Sequence, residues 1–438
     1  MASVLHPSEP LTPPQEHTKT HYIAAPGGFR KHLPDLTTER FRRASSQNAN
    51  SYSAYFNERH APPWLFDLTQ TWARLYTKPF YGITTDGTRQ SDLFQHENSG
   101  IDPHPIVKAA DRLLSLLSPV EQSALLYSID AREWRAWSNP EVLLRPFGLR
   151  LENIAAEASD AVLAVVEATL SPEGYAKALA AMRINAFLGE LCGMQSIMNA
   201  RSYNFLVFGT PSATEPWGWS LYGHHLCLSV FLWGSQIVVS PTFTGAEPTC
   251  IDEGLFAGTT ILGEEGAFGL QLMQSLNEAE RATAQTYKLL KDPQMRRTGD
   301  LETDQWNPDD QRCLCGAFRD NRIVPYEGIC VSELNYEQRA LLLELAQHFL
   351  LYLPAEARRR RLRQIEEHFD ETFFSWIGNY GNDDSFYYRV QSPVIILEFD
   401  HHSGVFLNNT KPAKFHVHTI VRTPNGGDYG WALQERDI

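Results

Sequence analysis

Two strand-like segments, far apart in the chain, both carry paired histidines, and this feature constrains the fold most strongly. The first segment contains His224 and His225, and the second contains His416 and His418. Side chains of a strand alternate between its two faces, so His416 and His418 point to the same side of a sheet. The sequence therefore predicts a sheet that closes over a long sequence separation and brings these imidazoles together.

The remaining patterns predict an α+β fold. Helical periodicity and helix-start signals occupy about 105–200, and a helical insertion lies at about 263–376. Strand-like sequence lies at about 203–240 and 386–422, with a hairpin turn expected at Gly234. Because helices and strands come in separate groups, a mostly antiparallel sheet with a metal-binding polar face, packed against several α-helices, fits better than repeated βαβ units.

We expect two parts along the chain. Residues 1–60 are rich in Pro, Ser, Thr, Asn and His without sustained periodicity, so they are expected to form a mostly irregular N-terminal arm. Residues 61–438 are expected to form a single large α+β catalytic domain. The 43% hydrophobic content of the 438 residues is enough for a large core.

Charge and hydropathy argue against two kinds of partner. The net charge of −14 disfavours nucleic acid and anionic membranes. The basic run at 358–363 is interpreted as a solvated helix face, since acidic residues soon follow it. No apolar stretch is long enough to cross a bilayer, and residues 1–17 lack the apolar core of a secretory signal. We expect a soluble, cytoplasmic protein that binds a small-molecule substrate, with the oligomeric state left open and a homodimer included.

The six cysteines do not form a disulfide framework. Cys313 and Cys315, with Cys330 further on, suggest a zinc clip, but their spacing is shorter than that of an ordinary Cys-x-x-Cys knuckle. Free thiols in a reducing compartment are the interpretation that we prefer.

The polar faces of the strand segments supply candidate metal ligands. His225 lies on a small, polar face of the first segment, and His224 is a second-choice ligand. Glu398 and Asp400 are two residues apart and share one face in the same way. Three imidazoles and a carboxylate bind divalent metals and leave a position open for water or substrate. The predicted metal ligands are His224, His225, His416, His418, Asp400 and Glu398, with Glu247 as a weaker candidate.

The predicted cofactor is a divalent metal ion. Zinc is the first choice, and iron, manganese or copper are alternatives, because neutral imidazole suits all of them. The competing interpretation is that the histidines are hydrogen-bonded structural groups. Two histidine pairs with two acids nearby favour the metal. His401 and His402 are left out of the ligand set, because we expect them at an exposed strand end.

Four further residues are candidates for catalysis. Glu264 and Glu265 open a helix, where one of them could act as general base on a metal-bound water; alternatively, their charges simply favour the helix dipole. Arg422 could bind a substrate carboxylate through its forked guanidinium, and an ion pair with Asp428 is the structural alternative. The predicted catalytic residues are Glu264, Glu265, Arg422 and Asp428.

The combined motifs resemble the domain-of-unknown-function 3500 (DUF3500) family over roughly residues 105–430. The resemblance implies that the candidate ligands and catalytic residues fall at the family's polar motif positions, and it implies no reaction. Relatives tend to carry Asp-Asn-Thr-Gln where this chain has Asp-His-His-Ser at 400–403. The motifs are Trp217-Gly-Trp-Ser-Leu-Tyr-Gly-His-His-Leu226, the Phe-x-Gly-x-x-Pro of 243–248, the Gly-Glu-Glu of 263–265, Tyr387-Tyr-Arg-Val-Gln-Ser-Pro393 running into Glu398-Phe-Asp400, and His416-x-His418 followed by Arg422 and Asp428-Tyr-Gly430.

We expect a metal-dependent enzyme of the hydrolase or lyase type that acts on a small polar or carboxylated metabolite. The metal would activate a water molecule or polarise a carbonyl group. A non-haem iron or copper oxidoreductase with the same ligands is the first alternative. The second alternative is a non-catalytic binding or scaffold protein whose histidines only stabilise the fold.

Overall fold

The computed structural model describes residues 28–434, and a single twelve-stranded sheet organises this part of the chain. Most strand pairs are antiparallel, and helices pack against the sheet, so the predicted α+β class is confirmed. The strands are β1 (Leu126–Tyr127), β2 (Leu149–Arg150), β3 (Tyr203–Phe208), β4 (Trp217–Gly223), β5 (Leu226–Trp233), β6 (Gln236–Ala246), β7 (Gln285–Tyr287), β8 (Ile329–Cys330), β9 (Phe373–Gly378), β10 (Phe386–Gln391), β11 (Ile396–His401) and β12 (Val417–Arg422).

Helices flank the strands before, between and after the two strand blocks. Several begin at the capping residues that the sequence contains; for example, the Ser118 side chain accepts a hydrogen bond from the Glu121 N–H. The helices are α1 (Glu39–Ala44), α2 (Ala49–Arg59), α3 (Pro63–Tyr76), α4 (Pro103–Leu116), α5 (Pro119–Leu125), α6 (Ala156–Thr169), α7 (Pro172–Leu191), α8 (Gly263–Ser275), α9 (Glu278–Ala284), α10 (Tyr336–Phe349), α11 (Ala355–Glu367) and α12 (Trp431–Gln434).

The sheet joins the two distant strand blocks directly. Its order is β1-β3-β4-β5-β6-β12-β11-β10-β9-β7, with β2 beside β3 and β8 beside β9. Strand β6 pairs with β12 and places Gly245 opposite His418. Strand β11 pairs with the other edge of β12 and places Asp400 opposite His418. The register therefore brings residues from both blocks onto one patch of the sheet.

Each face of the sheet has its own apolar layer. On the face that we call the helical face, Leu228, Phe399 and Val417 pack with helices that include α6, α7, α8 and α10. On the face that we call the histidine face, Phe243 and Ile420 pack with α3 and the segment 295–324. His418 alternates with Val417 along β12 and so lies on the histidine face.

The first histidine pair forms a turn and is not part of a strand. Strand β4 ends at Gly223 and β5 begins at Leu226, so His224 and His225 connect the two strands of a hairpin. The expectation that His224 and His225 lie within a strand is therefore wrong. The turn lacks the usual glycine or asparagine, and His225 itself adopts the left-handed conformation with φ 63°. The second turn, at Gly234, is confirmed.

Residues 28–60 do not form an irregular arm. Helices α1 and α2 lie in this range, and α2 begins with a capping box between Asn48 and Ser51. Phe41 and Tyr52 are buried in the core of the histidine face. Because only a few positions of each short helix are buried, the sequence shows no long apolar period here. Residues 1–27, the rest of the predicted arm, lie outside the described residues.

The expected helical insertion at 263–376 is only partly helical. It contains α8 to α11, but residues 288–328 form turns, bends and isolated bridges instead. Part of this irregular segment covers the histidine face and supplies polar groups to it. Among residues 28–434, no helix has both the length and the apolar character needed to span a bilayer.

Candidate metal centre

Three imidazoles from the two strand blocks meet on the histidine face. His225, His416 and His418 each offer one ring nitrogen, and the three nitrogens lie within 4.8 Å of one another. Their ring centroids are separated by 5.0 to 5.7 Å. All three side chains are buried. The predicted convergence of these rings is therefore present in the fold.

The spacing of His416 and His418 suits two ligands of one ion. Their Nε2 atoms are 3.2 Å apart. Two nitrogen ligands of a tetrahedral zinc ion, each about 2.0–2.1 Å from the metal, are separated by roughly 3.3 Å. His416 Nδ1 lies 2.9 Å from the Ser403 carbonyl oxygen, to which it donates a hydrogen bond. This hydrogen bond places the proton on Nδ1 and leaves the lone pair on Nε2, where a metal would bind.

Several buried polar atoms at this place lack a hydrogen-bond partner among the described residues: His225 Nδ1, His418 Nδ1 and Asp310 Oδ1. His418 Nδ1 and Asp310 Oδ1 face each other across 4.0 Å. Each unpaired buried polar group costs about 1–3 kcal/mol. Such atoms call for an ordered water or an ion at the site.

Gly245 makes the close approach of the rings feasible. A Cβ atom at this position would lie 2.7 Å from His225 Cδ2 and 3.0 Å from His418 Cδ2. The backbone N–H of Gly245 also donates to the His225 carbonyl oxygen at 2.9 Å. The backbone N–H of His225 donates to Asn139 Oδ1 at 3.1 Å. These contacts hold the hairpin turn against β6.

Burial keeps the three imidazoles neutral. It lowers the pKa of His416, and it lowers the pKa of His225 and His418 well below 6.5, with neighbouring histidines adding to the effect in these two. A neutral imidazole is the form that binds a metal ion. Each neutral ring therefore has an unprotonated nitrogen whose lone pair can bind a cation.

His224 supports the group from behind. Its Nδ1 lies 2.9 Å from Asn185 Oδ1, and its ring stacks on the His225 ring with 3.8 Å between centroids. His224 is not one of the three converging residues. A packing role replaces its prediction as a second-choice ligand, because its Nδ1 pairs with Asn185 and its ring stacks on the His225 ring at an interplanar angle of 25°.

Glu247 fixes the loop behind His416. Its carboxylate is fully buried and accepts backbone N–H groups from Val405, Phe406 and Leu407 at 2.9 to 3.3 Å. Its Oε1 lies 3.6 Å from His416 Nδ1, the nitrogen turned away from the convergence point. Glu247 therefore positions a candidate ligand and is not one itself.

The two predicted carboxylate ligands lie outside the three-histidine group. Both oxygens of Glu398 accept hydrogen bonds, from the Leu314 and Cys315 N–H groups at 2.7 and 2.8 Å and from Tyr387. Glu398 is thus occupied in holding a loop, and its prediction as a ligand is wrong. Asp400 Oδ1 pairs with Arg312 Nε at 2.6 Å. Burial raises the pKa of Asp400 to about 6, against the lowering effect of Arg312.

Glu264 and Glu265 lie on the other side of the sheet from the histidines. Glu265 forms a buried ion pair with Lys177, and its carbonyl oxygen accepts the Tyr388 hydroxyl at 2.7 Å. Tyr388 pairs with Phe399 on the helical face. The proton-transfer role predicted for both glutamates is therefore wrong, because the sequence does not show against which face α8 packs.

Arg422 and Asp428 form a buried ion pair, as the structural alternative expected. Arg422 Nε lies 2.7 Å from Asp428 Oδ2, and Arg422 Nη2 lies 2.6 Å from Asp320 Oδ1. Both side chains of the Arg422–Asp428 pair are 0% exposed. Asp428 also accepts the Ser240 hydroxyl and the Thr423 N–H. These partners support the structural alternative for Arg422 and Asp428, and their catalytic roles stay predictions.

Sequence reasoning missed several groups at the site. His401 and His402 were expected at an exposed strand end, but both are buried. His401 accepts the Phe386 N–H through Nδ1, whereas the His402 ring lies 3.8 Å from the His418 ring. The two-residue spacing of Asp400 and His402 was a sequence signal that could have placed His402 on the same face as Asp400. Asp310 lies in an irregular segment, and no sequence pattern identified it as part of the site.

A protein-family model described as "Protein of unknown function (DUF3500)" matches residues 99–431. This span contains the sheet and the residues of the candidate centre. No curated protein and no solved structure matches the chain.

Proposed function

Because this chain belongs to the DUF3500 family, whose description names no reaction, we propose a function from the site itself. The protein is a metal-dependent enzyme of the hydrolase or lyase type that acts on a small polar or carboxylated molecule. His225, His416 and His418 bind the divalent cation, with zinc as the first choice.

The observation that carries this proposal is the 3.2 Å separation of His416 Nε2 and His418 Nε2, with His225 close to both. Hydrogen-bonded structural histidines explain a single N–H···N contact. They do not explain why His225 Nδ1 is also buried without a partner within residues 28–434. A bound cation accounts for the convergence of the three rings.

The metal supplies Lewis acidity or an activated water, because three protein ligands leave a coordination position free. Around it, Ser403 fixes the tautomer of His416, and Asp310 faces the outer nitrogen of His418. These contacts orient the ligand atoms before any substrate binds.

A small cavity with polar lining residues lies beside His224. Glu141, Arg145 and Asn204 line it, and its volume is about 10 Å³, room for a single water molecule. Burial raises the pKa of Glu141, and the Tyr52 hydroxyl donates a hydrogen bond to its carboxylate at 2.7 Å.

Metal content is the first test. Protein purified without an affinity tag, from cells supplied with metals, should contain at least one equivalent of a transition metal by elemental analysis. His418→Gln should bind one equivalent less than the parent protein, because one of the three imidazoles is removed. His401→Gln is the matched control: it is equally buried but outside the group, so it should keep the metal. Less than about a tenth of an equivalent in the parent protein would contradict the proposal.

The reaction requires a second test, on a panel of small carboxylated esters, amides and hydroxy acids. Metal-loaded protein should convert at least one compound, and His418→Gln should convert none, because it lacks one of the three imidazoles. Bound redox-active iron or copper, with oxygen consumption, would favour the oxidoreductase alternative instead.

One observation favours a second candidate, a non-catalytic protein with a structural centre. His225, His416 and His418 are at most 2% exposed, as in closed structural sites. For this candidate, His418→Gln would lower the thermal unfolding midpoint strongly, and metal-loaded protein would convert no compound on the panel.

A further inference from the structure

A second group of metal-binding side chains lies beside the three histidines. Cys313, Asp400 and His402 each offer one ligand atom, and these atoms lie within 4.8 Å of one another. Their exposed fractions are 0%, 0% and 1%. The His402 ring lies 3.8 Å from the His418 ring, so the two groups are direct neighbours.

His402 is the unsatisfied member of this second group. Its Nε2 lies 3.0 Å from Asp400 Oδ2, but the two atoms do not meet hydrogen-bonding geometry. In the described part of the chain, this nitrogen has no hydrogen-bond partner. A nitrogen and an oxygen at this separation, both buried and not bonded to each other, suit two ligands of a common cation.

Asp400 has one oxygen engaged and one directed at the group. Arg312 Nε binds Oδ1 at 2.6 Å, and the Arg312 backbone N–H reaches Oδ2 only at 3.3 Å. Arg312 is itself held by the His401 carbonyl oxygen at 2.6 Å. An arginine that orients a carboxylate from behind, with only one long hydrogen bond to its second oxygen, is the kind of support that metal ligands receive in proteins.

Cys313 determines which metal ions the second group prefers. None of the described residues forms a hydrogen bond with its Sγ. The Cys313 N–H donates to the Asp310 carbonyl oxygen at 2.9 Å, so one turn presents Asp310 to the three histidines and Cys313 to the second group. A thiolate ligand selects zinc or another soft metal over magnesium or calcium.

We propose that Cys313, Asp400 and His402 form a second zinc site, so that the centre binds two zinc ions side by side. The thiolate and the carboxylate together offset the charge of the ion. The inference deepens the proposed function and rests on it, since the three-histidine ion is its neighbour. Paired metals stabilise both the attacking and the leaving oxygen in hydrolysis, so this arrangement favours the hydrolase type over the lyase type.

Zinc stoichiometry tests this proposal. Metal-free protein is reloaded with zinc, freed of excess ion and measured by elemental analysis. The parent chain should bind two equivalents, and Cys313→Ser should bind one. Cys315→Ser is the matched control: Cys315 is equally buried and only two residues away, but belongs to neither group, so two equivalents should remain.

Cobalt substitution identifies which site is filled. Cobalt-loaded parent protein and Cys315→Ser should show a thiolate-to-cobalt charge-transfer absorption in the near ultraviolet, and Cys313→Ser should lack it. If Cys313→Ser does not fold, His402→Gln serves as the second variant and should also bind one equivalent of zinc.

The outcomes separate the two proposals. One equivalent in both the parent protein and Cys313→Ser, without the thiolate absorption, overturns the second site and leaves the three-histidine site intact. One equivalent with the absorption, unchanged in His418→Gln, supports the Cys313 site and overturns the three-histidine proposal. No bound metal overturns both.

Discussion

Gly245 sets how closely the imidazoles of His225 and His418 approach β6. Since an added Cβ would meet His225 Cδ2 at 2.7 Å, even a methyl group must displace a ring. We expect Gly245→Ala to weaken zinc binding by roughly 10- to 100-fold, the range for disturbed ligand support. Competition titration with a zinc chelator measures this loss.

The control for Gly245→Ala is Gly28→Ala, where an added Cβ meets no atom within 4 Å. This variant should bind zinc as tightly as the parent chain. Equal affinity in Gly245→Ala and Gly28→Ala would show that the rings at Gly245 are free to move.

Arg422 neutralises two buried carboxylates, Asp320 and Asp428, on the histidine face. Arg422→Met leaves both without their partner, and removal of one member of a buried ion pair costs about 3–5 kcal/mol. We expect this loss in the free energy of unfolding by urea, with unchanged zinc stoichiometry in the folded fraction. Arg363→Met, at an exposed position on α11, is the control and should cost little. A stable Arg422→Met variant that binds no zinc would contradict the structural role.

At the scale of elements, His225 has two roles in the β4–β5 turn. His225 contributes a ring nitrogen to the three-histidine group, and its backbone takes a left-handed conformation with φ 63°. Asparagine tolerates this conformation, whereas a β-branched residue does not. Substitutions of His225 can therefore separate the need for an imidazole ring from the need for a left-handed backbone conformation.

Both His225→Asn and His225→Val should lose zinc from the three-histidine site, because the ring is absent. Only His225→Val should also strain the turn, and we expect it to be less stable than His225→Asn by roughly 1–2 kcal/mol. Urea unfolding of the metal-free proteins measures the difference. Equal stabilities would mean that the turn relaxes to another conformation.

The placement of α8 shows why its acids are remote from the histidines. Gly269 lies so close to Tyr388 that a Cβ would meet the ring at 2.1 Å, which fixes α8 against the helical face. Glu264 and Glu265, in the first turn of α8, therefore lie on the helical face of the sheet. A helix-start signal indicates where a helix begins and says nothing about the layer in which it packs.

At the scale of the whole molecule, the candidate centre ties the β4–β5 turn to β12 and to the irregular segment that contains Cys313. Ligand binding to the folded state alone stabilises a protein by about 4 kcal/mol at roughly a thousandfold excess over Kd. We therefore expect chelation to lower the unfolding midpoint of the parent protein and to speed hydrogen exchange in β12. His418→Gln, already without the three-histidine ion, should respond less to the chelator. If the parent protein and His418→Gln responded identically to the chelator, the stabilising metal would bind outside the three-histidine site.

The sequence by itself determined the local features. Capping residues such as Ser118 and Asn335 start helices as expected, and Gly234 turns a hairpin. The alternation of His416 and His418 put both rings on one face, because strand geometry depends only on neighbouring residues. These features are encoded within a few positions of the chain.

Only the tertiary structure decided which groups share that face. The partners of Arg422 and Asp400 include Asp320 and Arg312, which lie in a segment without regular structure. His402 became buried because that segment covers the strand end. Such contacts depend on how distant parts of the chain pack over the sheet, and periodicity within one segment contains no record of what packs against it.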